Sequence, residues 1–173
     1  NPRLIHLAPN IRGMYDQTNA LTDWCLTTIL ATPETEKKTI GSYFAQIVRT
    51  LYELQNFTDI SAFPDSLRDI PLSKKDEELV KEVNDLLALD QNQQALRELH
   101  KTLLTSKKPA LPAISVISGD FAKSAETEIV NNKLNLKLCI TLYRQFQNIE
   151  KFKEHKYNIL PVSQIQDKLD ELV

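Results

Sequence analysis

Glycine is scarce in this chain of 173 residues, which contains only Gly13, Gly41 and Gly119. Loops that cradle phosphate groups need several closely spaced glycines, because their backbone must approach the ligand closely. The three glycines lie too far apart for this, so the sequence excludes the GxGxxG and GxxxxGK[ST] nucleotide-binding motifs. Few glycines also argue against a β-sandwich or β-barrel with many tight turns.

Cysteine and histidine are similarly sparse. Cys25 and Cys139 are too far apart in sequence for a CxxC redox or zinc motif, and we expect two reduced, buried thiols. The three histidines form no HExxH motif and no pair with the spacing of metal ligands. The sequence therefore predicts neither a metal site nor a cofactor.

Neither a strong net charge nor a long apolar run is present. The net charge of −2 predicts no general attraction to nucleic acid or anionic lipid. No apolar segment approaches the roughly 18 residues that a membrane-spanning helix requires, and we find no signal-peptide core. We expect a cytoplasmic protein that does not insert into a membrane. Because the chain begins with Asn1 rather than Met, we also expect it to be a piece of a longer protein.

The apolar residues follow a helical period over most of the chain. In the first predicted helix Leu21, Trp24, Cys25 and Ile29 share one face. The second predicted helix starts at Pro33, carries its apolar stripe over 40–54 and stops near Asn56. This periodicity predicts an all-α fold of about seven helices in one domain, residues 1–173. The later helices are predicted from Ser73 to Leu87, over Gln93–Thr105, Ala113–Thr127 and Leu134–Lys153, and on the Val162–Leu172 segment.

Capping residues and prolines separate these helices. Thr32 is predicted to cap the second helix with Pro33 at its first position, and Ser73 is predicted to cap the third. Residues 58–72 contain two prolines and can hold only a turn or two of helix. Residues 107–112 form an extended connector, and a polar turn near 131–132 joins the next two helices.

Residues that could carry covalent chemistry have simpler interpretations. No GxSxG nucleophile motif is present, and the acidic run 76–78 is typical of a solvated helix start rather than an acid–base pair. Three lysine pairs are interpreted as solvated faces, with a phosphate- or partner-binding patch as the alternative. Tyr143, Phe146 and Phe152 could form a binding stripe, but their helical spacing favours a core position.

Two segments of the first half resemble a known family. The segment TNALTDW at 18–24 is similar to the phrase F-N-x-[hydrophobic]-S-x-W of the Cdc25-homology (RasGEF) domain of Ras guanine-nucleotide exchange factors. Asn19 and Trp24 fall on its Asn and Trp, whereas Thr18 replaces its Phe. The segment ELQNF at 53–57 is similar to the family's E-L-N-N-F.

The second half continues the resemblance in the same order. Residues 114–128 are similar to a helix that ends Y-L-T-D-L-x-x-x-E-E-G-N, in which Asp120 matches the Asp and Glu126 the second Glu. Shorter matches follow at 134–136, 149–152 and 157–160. The resemblance thus covers almost the whole chain, with one gap.

That gap and several substitutions are departures from the family pattern. The family has a longer helix and an S-x-x-N-S phrase after Phe57, where this chain has only 58–72. Ala122 stands where family members usually place a large apolar residue, and Thr127-Glu128 replaces a Gly-Asn pair. The family normally has further helices before this region, and we expect them to be missing here.

The resemblance implies a partner, a mechanism and a set of site residues. The partner would be a Ras-family small GTPase, nucleotide-free or GDP-bound, whose GDP is released when a protruding helical hairpin, Ala113–Lys153, opens the nucleotide site. Glu126 and Ala122 would be the catalytic wedge positions of this hairpin. The residues implied to bind the GTPase are Asn19, Trp24, Asp120 and Lys123. Without the resemblance, Glu126 would be interpreted as an ordinary solvated helix carboxylate.

Two alternatives stay open at this point. The chain could be a member of the same fold that has lost exchange activity and serves as a GTPase-binding or scaffolding module. It could instead be an unrelated helical adaptor that binds partner helices. The resemblance also implies action in the cytoplasm, or in a host cytosol if the chain comes from a secreted bacterial effector, which its scarce glycine and abundant Lys, Asn and Gln would fit.

Overall fold

The computed structural model describes residues 9–125, 129–130, 133–159 and 163. Helices dominate these ranges, which confirms the predicted all-α class. The six described α-helices are α1 Pro9–Ala31, α2 Lys37–Glu53, α3 Lys74–Leu87, α4 Gln94–Leu103, α5 Ile114–Ala125 and α6 Leu136–Phe152. Short 3-10 turns lie at Glu34–Glu36, Asp59–Ala62, Asp65–Leu67 and Asp90–Asn92. Apart from Ser163, the terminal helix predicted on Val162–Leu172 lies outside the described residues.

The connection between α5 and α6 contains a short ladder that the sequence did not predict. Strands β1, Ile129–Val130, and β2, Lys133–Leu134, pair antiparallel, with Ile129 opposite Leu134 and Val130 opposite Lys133. Each strand has only two residues, too few to show an alternating apolar pattern. The ladder flanks the predicted polar turn at 131–132, which itself lies outside the described residues.

The predicted N-cap at Thr32 is wrong. Its hydroxyl donates to the carbonyl of Thr28, 2.7 Å away, so it satisfies the last turn of α1 instead of opening α2. A hydroxyl on a helix can bond back to the carbonyl four residues earlier in this way. Pro33 is extended, a 3-10 turn follows it, and α2 begins only at Lys37.

Aromatic side chains from three segments meet in the centre of the core. Phe44 of α2 is fully buried, and its ring lies 5.2 Å from that of Trp24 on α1, edge to face. Phe63 lies 6.1 Å from Phe44 on another side. Edge-to-face aromatic pairs add specific stabilisation to the apolar area that they bury. The apolar faces of α1 and α2 are therefore joined through one phenyl ring.

Residues 58–72 contribute far more to this core than their irregular sequence suggests. The prediction of one or two helical turns is confirmed by the 3-10 turns at Asp59–Ala62 and Asp65–Leu67. Ile60, Phe63 and Leu67 are each almost completely buried there. A 3-10 turn has no 3.6-residue period, so the burial of these side chains does not follow from helical spacing.

The two cysteines differ in burial. Both thiols are free, and Cys25 is completely buried whereas Cys139 on α6 is only half-buried, so the prediction of two buried thiols is right only for Cys25. Burial raises the pKa of the Cys25 thiol to about 11 because the thiolate would lose its hydration. Cys25 therefore stays protonated at neutral pH and serves as a small apolar core residue.

The predicted cap of α3 is confirmed. The Ser73 hydroxyl oxygen accepts a hydrogen bond of 3.3 Å from the Asp76 backbone N–H, and the same hydroxyl donates to the Asp76 carboxylate. Asp76 also pairs with Arg49 of α2 across 2.7 Å. The first turn of α3 is thus satisfied locally and tied to α2 by one ion pair.

Alanine substitution at two of the glycines should change the free energy of unfolding in opposite directions. A Cβ at Gly41 would lie 2.7 Å from Ile70 Cγ2 and 2.9 Å from Leu72 Cδ2, whereas a Cβ at Gly13 has no neighbour within 4 Å. Alanine favours a helix over glycine by about 1 kcal/mol, and overpacking costs about 1–3 kcal/mol. We expect Gly13→Ala to raise the free energy of unfolding by about 1 kcal/mol and Gly41→Ala to lower it by a similar amount.

Urea denaturation of both variants beside the wild-type protein measures the difference. Gly13→Ala controls for helix propensity, because both glycines lie inside α-helices. An equal rise in stability for both variants would contradict the tight packing of residues 70–72 on α2.

Candidate functional site

Helices α5 and α6 form a helical hairpin that is joined at its tip by the β1–β2 ladder. The rings of Phe121 on α5 and Phe146 on α6 lie 5.1 Å apart, centre to centre. Asn135 caps α6, because its side-chain oxygen accepts a hydrogen bond of 3.1 Å from the Leu138 backbone N–H. The two helices of the hairpin therefore pack against each other, and the start of α6 is capped.

The outer face of α6 is apolar and exposed. Leu136, Ile140, Tyr143 and Phe146 are 68%, 52%, 63% and 58% exposed. The prediction that Tyr143 and Phe146 belong to the core is therefore wrong, whereas Phe152 does pack against it. Helical spacing identifies residues on one face, but it cannot tell whether a neighbouring element covers that face.

The base of the hairpin is held by hydrogen bonds to the rest of the domain. Leu111 accepts from the Phe57 N–H at 2.8 Å and donates to the Gln55 carbonyl at 3.0 Å. The Thr58 hydroxyl donates to the Pro112 carbonyl at 2.7 Å. Because these are backbone positions immediately before α5, they determine where the hairpin leaves the domain.

His100 of α4 completes this base. Its Nε2 accepts a hydrogen bond of 3.0 Å from the Ala113 backbone N–H, and its ring lies 6.1 Å from Phe152 at the end of α6. The pKa of His100 is lowered to about 4, mainly by burial and also by the nearby Arg97 charge, while Asp120 acts in the opposite direction. The imidazole is therefore neutral at physiological pH, as its role as an acceptor requires.

A second connection links α4 to the middle of α5. Arg97 donates to both carboxylate oxygens of Asp120, with Nη1 at 2.8 Å and Nη2 at 2.6 Å. The hydrogen bonds to Asp120 raise the pKa of Arg97, which burial opposes, so the guanidinium stays charged. Paired hydrogen bonds of this kind define the relative orientation of two side chains as well as their distance.

The structure brings only part of the predicted site together. Asp120, Ala122 and Lys123 lie on α5, and Asn19 is exposed on α1, which reaches α5 through a 2.6 Å hydrogen bond between Tyr15 and Ser118. Trp24 lies farther along α1, against Phe44. Glu126 lies outside the described residues.

Three residues at this base had no predicted role. Gln93, Arg97 and His100 recur at i, i+4 and i+7, a polar stripe beside the apolar stripe of α4. That spacing is a signal in the sequence for a polar face on α4. It does not identify the partners of that face, which lie 13 to 23 residues farther along the chain.

Clefts flank the hairpin on two sides. One of about 330 Å³ lies between α4 and the hairpin, next to Arg97, Asp120 and Phe152. A larger one of about 580 Å³ lies between α1, the 58–72 segment and the start of α5. Within the described ranges, no cluster of His, Cys, Asp and Glu side chains is suited to hold a metal ion. None of the described helices has the length and apolar character of a membrane span.

These features define a class: an α-helical domain that presents a helical hairpin on a hydrogen-bonded base. The chain matches the RasGEF domain family over residues 2–153. It therefore belongs to the RasGEF domain family, as the resemblance of its segments indicated.

Named relatives come from Dictyostelium discoideum. The chain is 26% identical over 180 residues to Ras guanine nucleotide exchange factor G, covering 96% of this chain and 11% of that protein. It is 26% identical over 175 residues to factor J, covering 95% of this chain and 22% of that protein, and 24% identical over 175 residues to factor I, covering 95% and 21%. The chain thus spans between 11% and 22% of the length of these relatives.

The low pKa of His100 predicts a specific loss of stability in acid. The unfolded histidine takes up a proton near pH 6.5, whereas the folded one does so only near pH 4. The unfolded state therefore binds more protons between these values, and stability falls as pH falls through that window. We expect this one residue to account for a loss of about 3 kcal/mol between pH 6.5 and pH 4.

A His100→Gln variant isolates this contribution, because glutamine can accept the Ala113 hydrogen bond but cannot titrate. Urea unfolding at pH 7, 5.5 and 4 should show the variant less stable at pH 7 and the difference shrinking toward pH 4. A difference that stays constant across this range would contradict a neutral, buried His100.

Proposed function

We propose that this chain is the part of a guanine-nucleotide exchange factor that engages a Ras-family small GTPase and releases its GDP. The observation that carries the proposal is the α5–α6 hairpin, held at its base by Leu111, Pro112 and Ala113. Membership of the RasGEF family and the names of the relatives support it. The chemistry is an exchange of binding partners, without a covalent step on this chain.

The proposed mechanism is competition between hairpin and nucleotide. The hairpin binds the nucleotide-free GTPase more tightly than the loaded one, and by linkage the nucleotide and the hairpin then weaken each other by the same factor. The first hairpin helix, α5, displaces the switch region that closes over the nucleotide. A GDP-bound GTPase is accordingly the substrate, and the nucleotide-free complex is the intermediate.

Two wedge positions divide this work. Glu126 places a negative charge where the phosphates and their Mg²⁺ ion are held, and this carboxylate competes for the groups that bind them. Ala122 lies four residues earlier in the sequence, a spacing that would place both side chains on one face of a helix. Ala122 is half-buried, and its methyl group excludes less volume than the large apolar residue usual in the family.

The remaining predicted residues stay proposals for the GTPase-facing surface. Asn19 is exposed on α1, and Lys123 follows Ala122 on α5. Trp24 and Asp120 also have partners inside this chain, because Trp24 packs on Phe44 and Asp120 pairs with Arg97. We propose that these two contribute to the surface through the positions in which the domain holds them.

A second function is favoured by two features, the first of which is the small side chain at Ala122. A wedge reduced to a methyl group fits a module that binds a GTPase without releasing its nucleotide. The short 58–72 segment, whose apolar residues are used in the core, fits the same alternative. In either case the proposed partner implies action in the cytoplasm, and the origin as a bacterial effector stays a prediction.

Release of a fluorescent GDP analogue tests the exchange function on a panel of Ras, Rap, Ral and Rab proteins. We expect acceleration with at least one Ras-family member. Glu126→Ala should slow that release by about tenfold, within the range of a single coupling interaction. Ala122→Leu should speed it by about threefold, as expected when a larger apolar side chain is buried in the contact.

Glu78→Ala provides the matched control, because Glu78 is an exposed helix carboxylate on α3, away from the hairpin. It should leave the release rate unchanged. Binding of nucleotide-stripped GTPase without faster release would favour the second function. Absence of binding to every stripped GTPase of the panel would contradict both.

A further inference from the structure

The guanidinium group of Arg97 uses all three of its nitrogens within the domain. Nη1 and Nη2 donate to Asp120 at 2.8 and 2.6 Å, and Nε donates to the Asn92 carbonyl at 2.8 Å. Because the guanidinium is planar and its donors are rigidly arranged, these three bonds specify its position and its orientation. Arg97 therefore connects the start of α4 to the second half of α5 as a rigid link.

The carbonyl that accepts from Nε lies in an unusual stretch of backbone. Asn92 and Gln93 are both left-handed, with φ of 61° and 58°. Left-handed conformations are unfavourable for residues other than glycine, although asparagine tolerates them better than most. The domain thus maintains two consecutive unfavourable conformations at the point where Arg97 is anchored, which is typical of a functional constraint.

Two further hydrogen bonds join α4 and the residue before it to α5 and the residue before that helix. The Gln93 side-chain amide donates to the Ser115 hydroxyl at 3.1 Å, and His100 accepts from Ala113 at 3.0 Å. Together with Arg97 they reach residue 113, directly before α5, and residues 115 and 120 within it. Gln93, Arg97 and His100 therefore constrain both the rotation and the axial position of α5.

Of the three residues contacted in this way, 113, 115 and 120, Asp120 lies farthest along α5. Ala122 follows two residues later, which is about 3 Å along the helix axis. The Arg97–Asp120 pair is thus the last of these anchors before the proposed wedge positions. With exposed fractions of 25% and 28% the two side chains are partly shielded from water, so their attraction is not fully screened.

We propose that Arg97 is a positioning residue for nucleotide release: through Asp120 it holds α5 at the angle at which the wedge enters the GTPase. The proposal rests on the exchange function proposed above and deepens it. Arg97 acts through Asp120 and α5, without a contact to the nucleotide. It follows that Arg97 governs the rate of release from the complex more than the formation of the complex, since small displacements of a catalytic group reduce its effect strongly.

The test compares Arg97→Ala with the wild-type chain at increasing exchange-factor concentration. We expect the maximal release rate to fall about tenfold, while the concentration that gives half-maximal release changes less than about twofold. Arg97→Lys should restore little, because an ammonium group cannot reproduce the paired hydrogen bonds. Arg97→Ala combined with Asp120→Ala should be no slower than either single variant, as expected when two residues act as one unit.

Arg49→Ala is the matched control. It breaks an ion pair of similar length, Arg49–Asp76 at 2.7 Å, which joins α2 to α3 away from the hairpin. At a temperature where both variants are folded, Arg49→Ala should leave the maximal release rate unchanged. An equal loss of rate in both variants would show that Arg97 contributes only general stability, and the proposal would then be wrong.

Amide hydrogen exchange tests this proposal separately from the nucleotide-exchange function on which it rests. Arg97→Ala should speed amide hydrogen exchange at least threefold across residues 114–125, whereas Arg49→Ala should not. If the wild-type chain does not accelerate GDP release from any GTPase, the proposed nucleotide-exchange function is wrong. Faster amide hydrogen exchange in α5 of Arg97→Ala would still support the positioning of α5 by Arg97. Unchanged amide exchange in α5 overturns the role of Arg97 whatever the GTPase assay shows.

Discussion

The backbone of residues 111–113 is the junction on which the hairpin depends. Leu111 uses both its N–H and its carbonyl in bonds to residues 55 and 57, Pro112 accepts from Thr58, and the Ala113 N–H is bonded to His100. Ala113 is buried, and a buried backbone N–H without an acceptor is costly. Satisfying the backbone groups of residues 111–113 with core residues makes the direction of α5 a property of the core rather than of a loose connector.

This arrangement accounts for the burial of His100. A neutral imidazole can accept from a backbone N–H, whereas a protonated one cannot, and the buried position at the base of the hairpin favours the neutral form. The apolar residues of the 58–72 segment contribute to the same base, since Thr58 at its start holds Pro112 while Ile60 and Phe63 fill the core behind it. A short irregular segment thus supports both the core and the hairpin.

Much of the helical organisation could be predicted from the sequence, because a helix depends on spacing and capping within a few residues. The α3 cap at Ser73 and the approximate limits of α4, α5 and α6 follow from such local patterns. The errors arose where a side chain had two possible partners. Thr32 could cap the next helix or bond back to Thr28, and the aromatic residues of α6 could face the core or solvent; tertiary packing selects between them.

The sequence by itself determined the all-α class, the absence of a phosphate-binding glycine loop and the family. These depend on composition, period and the order of short segments, all of which are local or collinear. Only the tertiary structure decided that Arg97 meets Asp120, that His100 accepts from Ala113, and that the outer face of α6 stays exposed. These features depend on which segments lie next to one another, and the energies that select them arise only when the helices pack, so helical period cannot specify them.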